Sequence, residues 1–423
     1  MTVPTYIFRR RVLKFLLLAC CYIILYINAV SYFLEEEDDD ISAVSSLKTE
    51  PIYNVSKLLQ DIKRHDIPWE LIDMNNFDYF INQPACEDKI AALIAVHSAP
   101  KNFKLRLILR ETWGRRALLN NTPLRLIFLL GAVANQSLQL QLEQENYKFG
   151  DMVQGNFMDH YKNMTYKHIM AFKWFIYYCG QAQILIKVDD DSFVNTPLLL
   201  KYLKDSVDPA TGETTQNVPE LSSISSNGIF APSSQLFRHP QNLLLCKQIP
   251  WARVKRTYRS KWHVSKQEYA QPYYPSYCFG FSIIYSADVL LRLYKAVQPS
   301  KYFWIDDLYV TGILAPQTNI TITSAKPFML TLKRFKSWLG GITNLADKEF
   351  LFAWPDLLEP EIQCLWEMYL MQQENNITRS SRQSVSQICN YSASTKYISF
   401  FLVCSASIIK VILLYISLKL YFL

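Results

Sequence analysis

The stretch ILIKVDDDSFVN, residues 184–195, runs from apolar residues into three adjacent carboxylates, Asp189, Asp190 and Asp191. The apolar part has the pattern of a buried strand. Like charges this close repel each other, and a carboxylate taken out of water is costly unless something offsets it. The stretch therefore predicts a strand whose carboxyl end carries an acidic cluster in need of a positively charged partner.

The segments around this stretch alternate between two patterns. Apolar runs typical of buried strands occupy residues 89–100, 124–132, 151–159 and 182–188. Segments with helical spacing occupy residues 101–114, 135–150 and 164–180, and each ends in glycine. Such alternation predicts an α/β fold with a mostly parallel central sheet and helices on both faces. Ligands of such sheets bind beyond the carboxyl ends of the strands, where the acidic cluster falls.

A hard divalent cation is a suitable partner for this cluster. Magnesium and manganese take oxygen ligands, and waters or phosphates complete the shell. The alternative is a solvated acidic turn, and the position after a buried strand makes the two readings about equal.

The ends of the chain differ from its middle. Residues 15–34 form an apolar run long enough to cross a bilayer core of roughly 30 Å, with basic residues before it and the acidic run EEEDDD after it. We therefore expect an uncleaved signal anchor with the middle of the chain in the lumen. The predicted organisation is a cytoplasmic tail (1–14), a transmembrane helix (15–34), a stem (35–84), a catalytic domain (85–340), a C-terminal lumenal extension (341–396) and a hydrophobic tail that contacts the membrane (397–423).

Lumenal placement agrees with the glycosylation and cysteine patterns. Seven N-x-S/T sequons are present, at Asn54, Asn120, Asn135, Asn163, Asn319, Asn376 and Asn390. Six cysteines between the hydrophobic ends suit disulfides, but their fifteen possible pairings stay open. The net charge of +7 is modest and scattered, which argues against a nucleic-acid partner.

Five segments resemble the β1,3-galactosyltransferase / β1,3-N-acetylglucosaminyltransferase family of Golgi enzymes, and they come in family order. They are RLILRETWG (106–114), DMVQGNFMDHYKNMTYKHIMAFKWFIYYC (151–179), KVDDDSFVN (187–195), KWHVSKQEYAQPYYPSYCFGFSIIYS (261–286) and FWIDDLYVTGILA (303–315). The resemblance implies a GT-A type fold, a UDP-sugar donor, manganese and inversion at the anomeric carbon. It also implies a single-pass type II protein of the Golgi membrane.

The same resemblance assigns roles to individual residues. Asp307 matches the catalytic base, with Asp306 the less favoured neighbour, and Asp191 matches the metal ligand, assisted by Asp189. The expected donor-binding residues are Arg106, Arg110, Asp151, Lys167, Asp189 and Asp190. The expected acceptor-binding residues are Trp262, Tyr277, Gly280 and Asp306. Without the motif, the two arginines would be read as a salt bridge on a helix surface, and the aromatic residues as core.

The expected activity is transfer of a hexose from a UDP-sugar to a glycan on a glycoprotein or glycolipid, in β1,3 linkage. Galactose is the first choice of sugar and N-acetylglucosamine the second. The alternative is a weak or inactive lumenal sugar-binding or chaperone-like protein on the same fold. It stays open because no histidine follows His263, whereas related sugar transferases often carry a later histidine at the metal.

Lumenal placement is tested by enzymatic removal of N-linked glycans from the protein expressed in cells. The expected result is a loss of apparent mass equal to several glycans, because the sequons lie in the predicted lumenal part. An unchanged band from cells with working glycosylation would contradict the predicted topology.

Overall fold

The computed structural model describes residues 53–120, 122–204, 235–238, 240–331, 334–335 and 350–373. The predicted tail, anchor and hydrophobic C-terminus lie outside the described residues, as do the first part of the stem and the sequons at Asn376 and Asn390. Within the described ranges, none of the helices has the length and apolar character that a membrane crossing requires.

A mixed sheet of eight strands forms the centre of the fold. Its strands are β1 (Tyr79–Ile81), β2 (Ala92–His97), β3 (Leu124–Ala132), β4 (Met152–Met158), β5 (Ile184–Asp189), β6 (Leu244–Ile249), β7 (Tyr277–Ser286) and β8 (Thr323–Ser324). Their spatial order is β1-β4-β3-β2-β5-β7-β6-β8. The four central strands β4, β3, β2 and β5 are parallel, while β1 and β7 run antiparallel to their neighbours. The predicted α/β fold with a large central sheet is confirmed.

Helices connect and cover these strands. They are α1 (Val55–His65), α2 (Phe103–Glu111), α3 (Arg116–Leu119), α4 (Gln136–Phe149), α5 (Met164–Tyr178), α6 (Thr196–Lys204), α7 (Gln235–Arg238), α8 (Ala287–Val297), α9 (Ala315–Gln317) and α10 (Glu359–Gln373). A 3₁₀ turn (Tyr161–Asn163) precedes α5, a π-helical segment (Leu308–Leu314) precedes α9, and a second 3₁₀ turn (Lys326–Phe328) follows β8. Two further short strands, β9 (Met329–Leu330) and β10 (Phe352–Ala353), pair in parallel.

Alternation along the central strands divides the core into two layers. In β2, Leu93 and Ala95 pack in the layer that contains α5 and α8. Ala92, Ile94 and Val96 pack in the opposite layer with α6 and α10. Successive strand residues point to opposite faces, so an uninterrupted apolar run is what a strand covered on both faces requires.

Two disulfides resolve part of the pairing that the sequence left open. Cys86 bonds to Cys179 at the end of α5, and Cys246 of β6 bonds to Cys278 of β7. Both bonds lie within the predicted catalytic domain and fasten segments that are adjacent in space.

The described part of the predicted stem belongs to the folded unit. Helix α1 packs on α8, and β1 adds a strand to the sheet by pairing with β4. At the end of α1, the Asp66 carboxylate accepts hydrogen bonds from Lys173 Nζ at 2.9 Å and from the hydroxyls of Tyr177 and Tyr294. The compact unit therefore extends to the N-terminal side of the predicted boundary at residue 85.

Replacement Asp66→Asn tests how strongly this segment is fastened. The side chains of Asp66 and Lys173 are only 5% and 2% exposed, so removing the carboxylate leaves a buried ammonium without its counter-charge. We expect the free energy of unfolding to fall by about 3 kcal/mol in chemical denaturation. Asp61→Asn is the control, because Asp61 of α1 pairs with Lys295 of α8 at a solvent-exposed position. If the two substitutions lower the free energy of unfolding equally, the buried Asp66–Lys173 pair does not stabilise the N-terminal segment more than an exposed pair does.

Candidate functional site

The acidic cluster lies at the carboxyl ends of the central strands, as predicted. Asp189 is the last residue of β5 and is level with His97, the last residue of β2. Asp190 and Asp191 follow in a turn. The cluster therefore occupies the edge of the sheet where α/β folds bind their ligands.

Lys187, inside the same strand, supplies the first counter-charge. Its side chain is 2% exposed, and its ammonium donates to Asp189 Oδ1 at 2.6 Å and to the carbonyl oxygen of Gly280 on β7. Burial alone would lower the pKa of Lys187, but Asp189 and Asp306 raise it, so the ammonium stays charged. The charge of Asp189 is thus balanced by a lysine two residues earlier in the same strand.

Asp190 is held by neutral donors from the segment after β2. Its Oδ2 accepts hydrogen bonds from Ser98 Oγ at 2.6 Å and from Asn102 Nδ2 at 3.0 Å. The carboxylate is buried. Its orientation is therefore fixed by the protein itself.

Asp191 is the member of the cluster left open to a ligand. Its carboxylate accepts no hydrogen bond from any other side chain that the structure describes. Burial and the charges of Asp189 and Asp190 raise the pKa of Asp191 to about 7. Among the described residues, no three His, Cys, Asp or Glu side chains converge on one point. A cation here would have one or two carboxylate ligands and would need further oxygens from phosphate or water, as magnesium-like ions commonly do.

A C-terminal segment fixes the backbone of the acidic turn. The amide of Leu357 donates to the carbonyl of Asp191 at 2.9 Å, and the amide of Asn195 donates to the carbonyl of Leu351 at 2.8 Å. These bonds hold the turn in place without using the carboxylates. The segment lies in the predicted C-terminal extension, which therefore contributes directly to the site.

All five N–H groups of the Arg106 guanidinium donate hydrogen bonds to protein atoms. Nε and Nη2 donate to Glu145 at 2.8 and 2.7 Å, and Nη1 donates to Ser98 Oγ at 3.0 Å. Nη1 and Nη2 also donate to the carbonyls of Ala99 and Pro100. This arrangement leaves no N–H for a phosphate. Arg106 instead holds the segment that positions Asp190, and direct contact with a donor substrate stays a prediction.

Arg110 continues the same buried network. It donates to Glu145 at 2.7 Å and to both oxygens of Asp151 at 2.8 Å, and its guanidinium lies over the ring of Phe149 at 4.0 Å. Hydrogen bonding to Asp151 and Glu145 outweighs burial and raises the pKa of Arg110. The predicted donor-binding residues Arg110 and Asp151 are therefore each other's partners.

Lys167, at the start of α5, joins this network from the other side. Its ammonium pairs with Asp159 at 2.8 Å and donates to the carbonyl of Ser98 at 2.6 Å. The structure thus connects five of the predicted donor-binding residues into one buried polar network, comprising Asp190, Arg106, Arg110, Asp151 and Lys167.

Asp306 is bound by a histidine that the sequence interpretation missed. His168 Nδ1 lies 2.8 Å from Asp306 Oδ2, and His168 Nε2 lies 3.0 Å from the hydroxyl of Tyr285. Burial would raise the pKa of Asp306, but His168 and Lys187 outweigh it and lower the pKa to about 2. The available signal was a histidine inside a helix that otherwise reads as core.

Asp307 has a different environment from its neighbour. Within the described part of the chain, its carboxylate accepts hydrogen bonds from two backbone amides, those of Gly280 at 3.1 Å and Leu308 at 2.7 Å, and from no side chain. Burial and the negative charge of Asp306 raise the pKa of Asp307 to about 7. The two adjacent carboxylates therefore differ strongly in basicity, which is the usual mark of a divided acid–base role.

The structure explains why position 280 is a glycine, and the explanation differs from the one predicted. A Cβ at this position would lie 3.0 Å from Asp307 Oδ2, so a side chain would push the carboxylate away. Glycine lets Asp307 approach the strand, while the Gly280 carbonyl accepts from Lys187. The predicted close approach of a sugar to this backbone stays a prediction.

Two of the residues predicted to bind the acceptor, Trp262 and Tyr277, pack against other aromatic residues. Trp262 packs edge-to-face on Tyr161 with ring centroids 5.0 Å apart, and Trp304 lies behind both. Tyr277 contacts Tyr274 edge-to-face and is half-buried. Tyr161 and Trp304 were not singled out in the sequence, because isolated aromatic residues are usually core.

Comparison with known proteins places this site in a family context. The galactosyltransferase family model matches residues 104–227 and 233–326, about half of the chain. β-1,3-Galactosyltransferase 1 of Mus musculus and of Homo sapiens is 31% identical over 242 residues, which cover 56% of this chain and 65% of theirs. β-1,3-Galactosyltransferase 5 of Homo sapiens is 27% identical over 230 residues, 54% of this chain and 64% of its own.

A solved glycosyltransferase involved in glycosylation of the major capsid of PBCV-1 covers 65% of this chain and 99% of its own, with 9% identity and a TM-score of 0.26. That score is too low to bear on fold or function. The aligned region spans about two thirds of the length of the curated relatives. The extent of the family-model match shows that the chain belongs to the galactosyltransferase family.

Proposed function

We propose that the chain transfers a hexose from a UDP-sugar to a glycan acceptor in β1,3 linkage, with inversion at the anomeric carbon. The observation that carries the proposal is Asp307, a half-buried carboxylate held by the backbone amides of Gly280 and Leu308 with a pKa raised to about 7, at the same edge of the sheet as an acidic cluster suited to a metal. Galactose is the preferred sugar because the curated relatives are named galactosyltransferases. N-acetylglucosamine is the second choice.

Asp307 acts as the general base in this proposal. A base with a pKa near the working pH accepts a proton most effectively from the attacking hydroxyl of the acceptor. Asp306 is unsuited to this task, because His168 occupies its Oδ2 and its pKa is lowered to about 2. Asp306 instead raises the basicity of Asp307 by its charge.

The acidic cluster serves the donor. Asp191 would be the first ligand of a divalent cation, with Asp189 the second, and their oxygen donors fit manganese or magnesium. When bound, the cation would neutralise the charge that gathers on the leaving diphosphate. Ser98 and Asn102 orient Asp190, and the buried arginine network keeps the segment that carries them in position.

We also place the reaction in the lumen of the Golgi apparatus, with the chain anchored as a single-pass type II membrane protein. The support is the basic N-terminus, the apolar run at residues 15–34 and the sequons that follow it. The two disulfides suit an oxidising compartment.

Two substitutions separate the tasks of the two acidic sites. Asp307→Asn should bind UDP-sugar with manganese as the wild type does but transfer sugar at least roughly a hundredfold more slowly, because the amide cannot accept the proton. Asp191→Ala should lose metal-dependent UDP binding and keep the fold, since removing a like charge relieves repulsion. Calorimetry measures binding, and product formation with UDP-galactose measures transfer.

The two sites are separated if Asp307→Asn keeps binding but loses transfer, while Asp191→Ala loses metal-dependent binding. Near-normal transfer by Asp307→Asn would place the base elsewhere, and unchanged UDP affinity of Asp191→Ala with manganese would remove its role as metal ligand. Binding without transfer in the wild type, across several UDP-sugars and acceptors, would favour the sugar-binding alternative.

The pH dependence of transfer follows from the charge of Asp306. Because Asp307 must be ionised to act, the rate should rise with pH through about 7 in the wild type. Asp306→Asn removes the neighbouring negative charge and lowers the pKa of Asp307, so the rise should move to lower pH. Asparagine can still accept the hydrogen bond from His168.

The control for this measurement is Asp73→Asn, which removes an exposed carboxylate bound to the hydroxyl of Tyr166. Its pH profile should match that of the wild type. If Asp306→Asn leaves the profile in place, a group other than Asp307 sets the acid limb.

A further inference from the structure

Three aromatic side chains form a surface beside the proposed base. The rings of Trp262 and Trp304 are nearly parallel, 15° apart with centroids 6.4 Å from each other, and Tyr161 lies 5.0 Å from Trp262. Trp262 and Tyr161 are 39% and 38% exposed, whereas Trp304 is buried. We call these three residues the aromatic platform. Exposed, rigid aromatic faces are suited to contact with the apolar face of a sugar ring.

The platform is fastened to the segment that carries Asp306 and Asp307. The hydroxyl of Tyr302 donates to the carbonyl of Lys162 at 2.6 Å, and the hydroxyl of Thr165 donates to the carbonyl of Phe303 at 2.7 Å. The turn that carries Tyr161 is therefore bonded to the residues immediately before the two aspartates. Burial and the charges of Asp307 and Asp306 raise the pKa of Tyr161, which agrees with this proximity.

Two lysines flank the platform. Lys261 Nζ lies 5.1 Å from the ring centre of Trp262 and 5.7 Å from that of Tyr161, and Lys162 Nζ lies 5.8 Å from that of Trp304. In the part of the chain that the structure describes, neither ammonium is within 4.0 Å of a carboxylate. Both cations lie against aromatic faces. The backbone hydrogen bond at Ser265 and, more weakly, the charge of Lys162 lower the pKa of Glu268, so Lys162 also interacts with that carboxylate over a longer distance.

Two cations close to Lys261 in sequence, Arg256 and Lys266, differ from this pair. Arg256 donates to the carbonyls of Val264, Tyr269 and Gln271, so its guanidinium holds the local chain together. Lys266 is exposed and contacts no aromatic ring among the described residues. Lys162 and Lys261 therefore differ from Arg256 and Lys266 in lying against the rings of the platform.

We propose that this surface binds an acceptor glycan that carries a carboxylate or sulfate, with a sugar ring on the aromatic platform and the anionic group at Lys162 and Lys261. The inference rests on the proposed function and defines its acceptor class. The five aspartates of the site repel an anion, and the two ammonium groups offset that repulsion where the acceptor enters. A neutral glycan would need no such charges.

The test compares two disaccharides that differ only in the terminal sugar, glucuronic acid or glucose. Calorimetry with the purified full-length chain should show the uronic acid compound binding about threefold to tenfold more tightly, the range expected for two exposed charge contacts. The preference should disappear in a Lys162→Gln, Lys261→Gln double variant and at about 1 M salt. The control Lys266→Gln should keep the wild-type preference.

Equal binding of the two disaccharides by the wild type would overturn the inference, as would equal loss of preference in the control. If the protein shows no preference between the disaccharides but binds phosphatidylserine vesicles through Lys162 and Lys261, the two charges belong to a membrane-binding surface and the inference is wrong. Consumption of UDP-galactose is measured in the same preparations. Charge-selective binding without transfer to either compound contradicts the proposed function alone, whereas transfer with equal binding contradicts the acceptor class alone.

Discussion

The buried ammonium of Lys187 is the interaction on which the acidic centre depends. It lies between the carboxylate of Asp189 and the carbonyl of Gly280, and the amide of the same glycine holds Asp307. Two acidic sites more than a hundred residues apart in sequence are thus joined by three bonds. Without this cation, the repulsion between the neighbouring, partly desolvated carboxylates would raise their pKa values, and some of them would take up a proton. The lysine therefore offsets part of this repulsion and fixes the geometry of the site.

Adjacent carboxylates acquire different chemistry from their partners. His168 binds Asp306 and lowers its pKa, whereas the described partners of Asp307 are backbone amides and its pKa is raised. In the other acidic site, Asp190 is oriented by neutral donors while Asp191 has no side-chain partner among the described residues. Asp189, Asp190 and Asp306 are thus engaged by other side chains, whereas Asp191 and Asp307 accept no hydrogen bond from a side chain among the described residues. In the proposed reaction, this separation would provide a donor side and an acceptor side.

Hydrophobic periodicity was sufficient to predict the central strands, their helices and the position of the acidic cluster, because each depends on local sequence. The partners of charged residues depend on long-range packing and were not predictable in the same way. Arg106 meets Glu145 from a distant helix, and His168 meets Asp306 across the fold. Lys187 was likewise not singled out from the sequence, and its pairing with Asp189 is visible only in the folded structure. The antiparallel strands flanking the sheet likewise follow from pairing that no local pattern shows.

The central claim is that the acidic cluster takes the metal and the diphosphate while Asp307 is reserved for the acceptor. Anomalous diffraction from manganese in crystals containing UDP tests it most directly. We expect a manganese peak within coordination distance of the Asp191 carboxylate, with Asp307 outside the coordination shell. A peak bound between Asp306 and Asp307, with Asp191 uncoordinated, would contradict the account.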